Sequence, residues 1–151
     1  MITTEQVKEL RDKTGISVMQ CKKALEEAGG DKAKALEILR VKSAEIAAKK
    51  GDRELGAGVI ASYIHTGDAT GALVELSCET DFVAKNEEFR QLAKDIAMHI
   101  TAFVPETVEE LLEQPFILNG DVTIQTKCDE AVQKFGERTV VKRFVRYQVG
   151  E

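Results

Sequence analysis

Few residues of this chain have a type and spacing suited to covalent chemistry. The cysteines Cys21, Cys78 and Cys128 are odd in number and no two form a CxxC clip, so neither a disulfide framework nor a zinc ribbon is expected. His65 and His99 are the only histidines. Their spacing gives no ligand signature, and each is expected at the surface or half-buried. The run Gly67-Asp68-Ala69-Thr70-Gly71 lacks the Gly-Lys-Ser/Thr ending of a phosphate loop and precedes a strand, which reads as a hairpin turn. Cys78 and Cys128 lie on apolar faces, where a free thiol packs as a small hydrophobe. One segment, Cys78 to Asn86, offers more. It carries Asp81 and Phe82 between the end of a strand and the start of a helix. Phe82 reads in two ways: a staple packed onto the helix start, which spacing alone favours, or an exposed aromatic anchor beside a carboxylate, suited to partner binding.

The elements around that segment follow from periodicity. Residues 1–50 read as three helices forming a compact bundle. Thr3 and Gln6 supply a capping box, and so do Ser17 and Gln20. Thr14-Gly15 and Gly29-Gly30 supply the stops. Val7 and Leu10, then Val18, Cys21, Leu25 and Ala28, then Ala35, Ile38 and Leu39 supply the apolar stripes, and Asp31 can cap the third helix. Ala44, Ala47 and Ala48 prolong it toward Lys49-Lys50-Gly51-Asp52, where a boundary is placed: 1–50 as one domain, 51–151 as the other. In 56–79 the period becomes two, giving an antiparallel hairpin with one apolar face and one wet face. Phe89, Leu92, Ala93, Ile96, Ala97 and Ile100 form a strong helical stripe behind the cap Asn86. A short helix before Pro115, a helix over 123–135 stopped by Gly136 and a last strand over 139–149 complete the chain. In that strand Val141, Val145, Tyr147 and Val149 are expected on one face, Lys142, Phe144 and Arg146 on the other. The fold class is α+β: a three-helix bundle followed by a sheet of about three antiparallel strands covered by helices.

Composition narrows the function. The 151 residues carry 21 basic and 26 acidic side chains, net −5, the opposite of a general phosphate-backbone binder. Direct nucleic-acid binding is not expected. The charge is uneven: 1–50 is net +3 and 51–151 net −8. No apolar run approaches the ~20 residues of a membrane span, and the first residues show no signal peptide. A cytoplasmic protein with no cofactor and no membrane partner is expected.

The segment Glu79-Thr80-Asp81-Phe82-Val83-Ala84-Lys85-Asn86 closely resembles the signature of bacterial elongation factor Ts, the guanine-nucleotide exchange factor of elongation factor Tu. Leu10 to Gly15 with Met19 to Leu25 resembles that family's N-terminal module, Ala47-Ala48-Lys49-Lys50 its linker, and Gly136-Glu137-Arg138 through Arg143 to Tyr147 its closing strand. The resemblance spans nearly the whole chain in order. It implies a ubiquitin-associated-like N-terminal domain and a core that in long members has two related halves and a coiled-coil insertion. Only about 25 residues separate the short helix from the last strand here, so neither the second half nor the insertion fits. Short members pair as homodimers, and a homodimer through the sheet's open edge or face is inferred.

For function the resemblance implies exchange without covalent chemistry, so no catalytic residue is assigned. Asp81 and Phe82, flanked by Thr80 and Val83, would reach the partner GTPase near its magnesium ion. Val18, Met19 and Lys22 would make a second contact. Periodicity alone leaves Val18 open between core and contact, whereas Met19 and Lys22 lie off the apolar stripe. Two other classes remain in view. One is a ubiquitin-binding adaptor, against which stands Gly15-Ile16-Ser17-Val18-Met19 in place of an aromatic Met-Gly-Phe/Tyr loop. The other is a thiol enzyme using Cys78 or Cys21, which alkylation at neutral pH would reveal.

Overall fold

The computed structural model describes residues 1–151. The N-terminal part has three helices: α1 (Thr4–Thr14), α2 (Val18–Glu27) and α3 (Lys32–Lys49). The capping box at Thr3 is complete in both directions, with Thr3 N–H donating to Gln6 Oε1 (2.9 Å) and Gln6 N–H to Thr3 Oγ1 (3.2 Å). At Ser17 only one arm forms. Its Oγ accepts from Gln20 N–H, while the Gln20 side chain accepts from Gln133 Nε2 far along the chain (3.1 Å). Gly15 ends α1 at φ +72°, a left-handed conformation that costs a Cβ-bearing residue strain. The three helices enclose a small cluster of eight buried side chains around Ile16, Cys21, Leu25 and Leu39.

The remainder builds a second, larger cluster of 18 buried residues. Strands β1 (Ala57–Ile64), β2 (Thr70–Cys78) and β5 (Val140–Gln148) form an antiparallel sheet in the order β1-β2-β5. Helices α4 (Asp81–Ala84), α5 (Glu87–Phe103), α6 (Val108–Glu113) and α7 (Ile124–Phe135) accompany it. The α+β class expected from the sequence is what the chain adopts. The stripe of α5 is buried through Phe89, Ala93, Ile96, Ala97 and Ile100, which lie on the inner residues Val74 and Leu76 of β2. Asn86 caps it, its Oδ1 accepting from the N–H groups of Glu88 and Phe89.

Four expectations are corrected. First, the outer sheet face is solvent-exposed but not mainly polar, Ser62 and Arg143 sharing it with apolar side chains. Ile60, Ile64, Leu73, Val145 and Tyr147 stand exposed on it. Second, the facing of β5 changes partway. Leu76 pairs with Val141 but Glu75 with Arg143, so Lys142 is the extra residue of a bulge. That one-residue slip reverses every later side chain: Val141 and Phe144 turn inward, Val145 and Tyr147 outward. Third, a two-stranded hairpin, β3 (Pro115–Phe116) with β4 (Asn119–Thr123), precedes α7. Residues this short give no alternation to read. Fourth, His99 is fully buried, stacked on Phe103 with centroids 4.5 Å apart. Its Nδ1 accepts from Ile117 N–H (3.1 Å), which leaves Nε2–H to donate to Gln114 Oε1 (2.9 Å). Burial holds its pKa below the ordinary histidine value.

Candidate functional site

The strand β2 ends at Cys78 and the chain turns at once into α4, a single turn that stops at Ala84 before Asn86 opens α5. Phe82 is 89% exposed and Val83, its neighbour, 5% exposed. Adjacent residues of one helical turn thus hold a ring out in solvent and an aliphatic anchor in the core. The staple reading of Phe82 does not hold. A ring this exposed is not packed on the helix start, and the edge contact there is between Phe89 and Phe135 (5.8 Å). Asp81, exposed, lies in the first turn of α4, where the unpaired N–H groups favour a carboxylate. Thr80, also exposed, occupies the N-cap position, yet its side chain makes no cap bond. Its Oγ1 instead donates to Glu137 Oε2 (2.7 Å).

The backbone leading into the turn is held by the same carboxylate. Glu79 N–H and Thr80 N–H donate to Glu137 Oε1 at 3.1 and 3.0 Å. Glu79 returns the contact, its Oε2 accepting from Arg138 N–H (2.5 Å) and its Oε1 facing Arg53 Nη1 (3.5 Å). Motif spacing does not reveal these partners, because they are 26 and 57 to 59 residues apart in sequence.

The second group lies at the start of α2. Val18, Met19 and Lys22 are all exposed, Met19 by 82%. Their backbone is fixed locally: Ser17 Oγ accepts from Gln20 N–H, Thr14 Oγ1 from Ile16 N–H, and Cys21 Sγ donates to Ile16 C=O. Val18 is half-exposed, so the apolar stripe of α2 starts at Cys21.

The seam between the two clusters is a groove of about 280 Å³ lined by side chains of both signs. Lys134 pairs with Glu88 of α5 and Lys127 with Glu130 along α7, while Asp12, Lys13 and Asp95 also line the groove. Glu130 is buried and burial raises its pKa. The thiols offer no nucleophile. Burial pushes Cys78 up to about 11, helped by the nearby Glu137 carboxylate, and Cys128 up to about 12. Burial also raises Cys21. No helix is long and apolar enough to cross a membrane.

The family model described as Elongation factor TS matches residues 3–110 and 79–151. The two stretches overlap at residues 79–110. Elongation factor Ts of Desulforamulus reducens is 44% identical over 195 positions, covering 99% of this chain and 90% of the relative. That of Thermodesulfovibrio yellowstonii is 44% identical over 194 positions (99% and 97%), and that of Thermosipho melanesiensis 40% over 196 positions (100% and 100%). The first alignment exceeds the 151 residues of this chain by 44 positions, so the relative carries at least that many residues without a counterpart here.

Proposed function

The chain belongs to the elongation factor Ts family, and on that premise we propose that it serves translation elongation as the guanine-nucleotide exchange factor of elongation factor Tu. The observation that carries this reading is the exposed Asp81–Phe82 pair on a braced strand–helix junction. Magnesium bridges the nucleotide's phosphates to the GTPase and accounts for much of its grip. A ring inserted near the ion displaces the elements that hold it, and a carboxylate beside the ring disturbs its water and side-chain contacts. Thr80 and Val83 frame the pair, Val83 from beneath as the buried anchor. No bond is made or broken, so the factor is not an enzyme of covalent chemistry.

Exchange is differential binding. GDP weakens the partner's affinity for the factor by the same factor by which the exchange factor weakens GDP. Turning a mostly occupied GTPase into a mostly empty one takes roughly 5.5 kcal/mol of preference. One aromatic anchor typically supplies about 2–4 kcal/mol. A second contact is therefore required, and exposed Val18, Met19 and Lys22 provide it from the N-terminal helices, residues 1–50 acting as a separate docking domain beside a core of residues 51–151.

The outer sheet face suits a second copy of this chain. Ile60, Ile64, Leu73, Val145 and Tyr147 form an exposed apolar surface on one face of the sheet. Pairing of two such faces gives a homodimer. Leu73→Lys should then yield a monomer in sedimentation at micromolar concentration; an unchanged sedimentation coefficient rejects this interface. The site of action is the cytoplasm, where the GTPase works.

Stopped-flow release of fluorescent GDP from the cognate GTPase, with and without this protein, tests the proposal. Release should accelerate with factor concentration and saturate. Asp81→Ala should weaken acceleration most at high magnesium. A defect equal at all magnesium concentrations would remove the ion from the explanation, and no acceleration by the unaltered chain would reject exchange itself.

A further inference from the structure

We propose that Glu137 is a positioning residue for exchange: its carboxylate clasps the backbone of Glu79 and Thr80 and thereby holds the Asp81–Phe82 turn in the extruded form that meets the partner. The inference rests on the exchange reading above. Helix α4 has four residues, too few for a helix to hold itself, since nucleation fixes several dihedrals for one hydrogen bond. The usual remedy, an N-cap side chain, is missing, because the Thr80 hydroxyl is drawn to Glu137. One carboxylate instead takes all three donors that precede the turn: two backbone N–H groups and that hydroxyl. Hydrogen bonds to a charged acceptor are among the stronger kind.

Glu137 is itself well placed to act. Gly136 ends α7 at φ +74°, turning the chain back toward β2, and Thr139 Oγ1 donates to Glu137 C=O (3.2 Å). Glu79 completes a reciprocal brace through Arg138 N–H, and Arg138 Nη1 reaches Arg53 C=O (2.8 Å). The turn is thus fixed at its end by Val83 in the core and at its start by Glu137. Removing the clasp frees the start. The competent form then becomes a fraction of the population, and apparent affinity falls by that fraction. Once the partner is bound it holds the turn itself, so the saturated rate is spared.

The test is GDP release from elongation factor Tu at increasing factor concentration, paired with amide deuteration of the free factor. Glu137→Ala should raise the half-saturating concentration about tenfold, leave the saturated rate within about twofold, and speed deuteration at Asp81, Phe82 and Val83. Glu137→Gln keeps one acceptor oxygen and an amide that can donate to Thr80 Oγ1, so it should fall between the two. A folded Glu137→Ala protein with unchanged half-saturation and unchanged deuteration overturns the proposal. So does a loss confined to the saturated rate. Should Glu137→Ala fail to fold, Glu137→Gln decides: about a threefold rise with faster deuteration supports the clasp, and wild-type values of both overturn it. Phe82→Ala, run alongside, separates the two levels. If it exchanges normally Phe82 has no part in exchange, whereas no acceleration by the unaltered chain rejects exchange itself; in either case deuteration alone then decides whether Glu137 holds the turn.

Discussion

Two exposed apolar probes stand on this molecule, and they are held by different means. Met19 rises from the start of a ten-residue helix whose caps lie within a few residues of it: Ser17 on Gln20, Thr14 on Ile16, Cys21 on Ile16. Phe82 rises from a four-residue turn with no local cap, tied down by Glu137 more than fifty residues away and by Val83 beneath. In the first region the bonds that fix the backbone come from residues within a few positions of the probe. The second exists only when β2, α7 and the turn after α7 have come together. An exposed side chain is therefore no guide to how rigidly it is presented.

The comparison predicts unequal mutational costs. Phe82→Ala should lower catalysed GDP release by tenfold or more while leaving stability within about 0.5 kcal/mol, since the ring is 89% exposed. A large drop in the thermal midpoint would show that the ring packs at home. Met19→Ala should cost release about threefold to tenfold, as one contact among several, and titration of the factor against the partner would measure it. Loss of a Met19 effect would leave the turn as the sole contact. The local design is best broken at its caps. Ser17→Ala should destabilise by about 1 kcal/mol in urea titration. Gly15→Ala should cost a similar ~1 kcal/mol, because φ +72° strains a Cβ-bearing residue and the added Cβ would lie 3.0 Å from Lys134 Nζ.

The same split was visible in reading the chain. The Thr3 capping box, the hairpin of β1 and β2 and the stripe of α5 rest on spacings of two to four residues, and each formed as expected. The outward turn of Phe82 could not be read, because a staple and an anchor have the same spacing. The bulge at Lys142 could not be read either, since both phases of β5 put apolar residues on each face and only the pairing with β2 chooses between them. His99 was expected nearer the surface. Its burial depends on Gln114 and Ile117 presenting partners for both ring nitrogens. In the sequence Glu137 stands within Gly136-Glu137-Arg138, and no local spacing signals that its carboxylate reaches back to Thr80.

Two smaller effects lie outside both probes and serve as controls. Because burial depresses the His99 pKa, the unfolded chain takes up a proton first as pH falls through about 6.5. Stability from this residue is full above that value and declines below it. Urea midpoints between pH 7.5 and 5 should fall, and His99→Gln should flatten that slope. An unaltered slope would assign it to other groups. Val104 sits exposed at φ 52° in the left-handed region that closes α5. Val104→Gly should raise stability by about 0.5–1 kcal/mol, relief of β-branched strain outweighing the entropy of glycine. Neither change should alter GDP release.

The most direct probe of the Phe82 contact is fluorine NMR of the chain carrying 4-fluorophenylalanine at position 82. In the free factor the resonance should report a solvent-exposed ring. Adding nucleotide-free elongation factor Tu should shift and broaden it, and excess GDP with magnesium should restore the free position, as reciprocal linkage requires. A resonance that stays at the free position while the partner is shown to be bound would contradict the account.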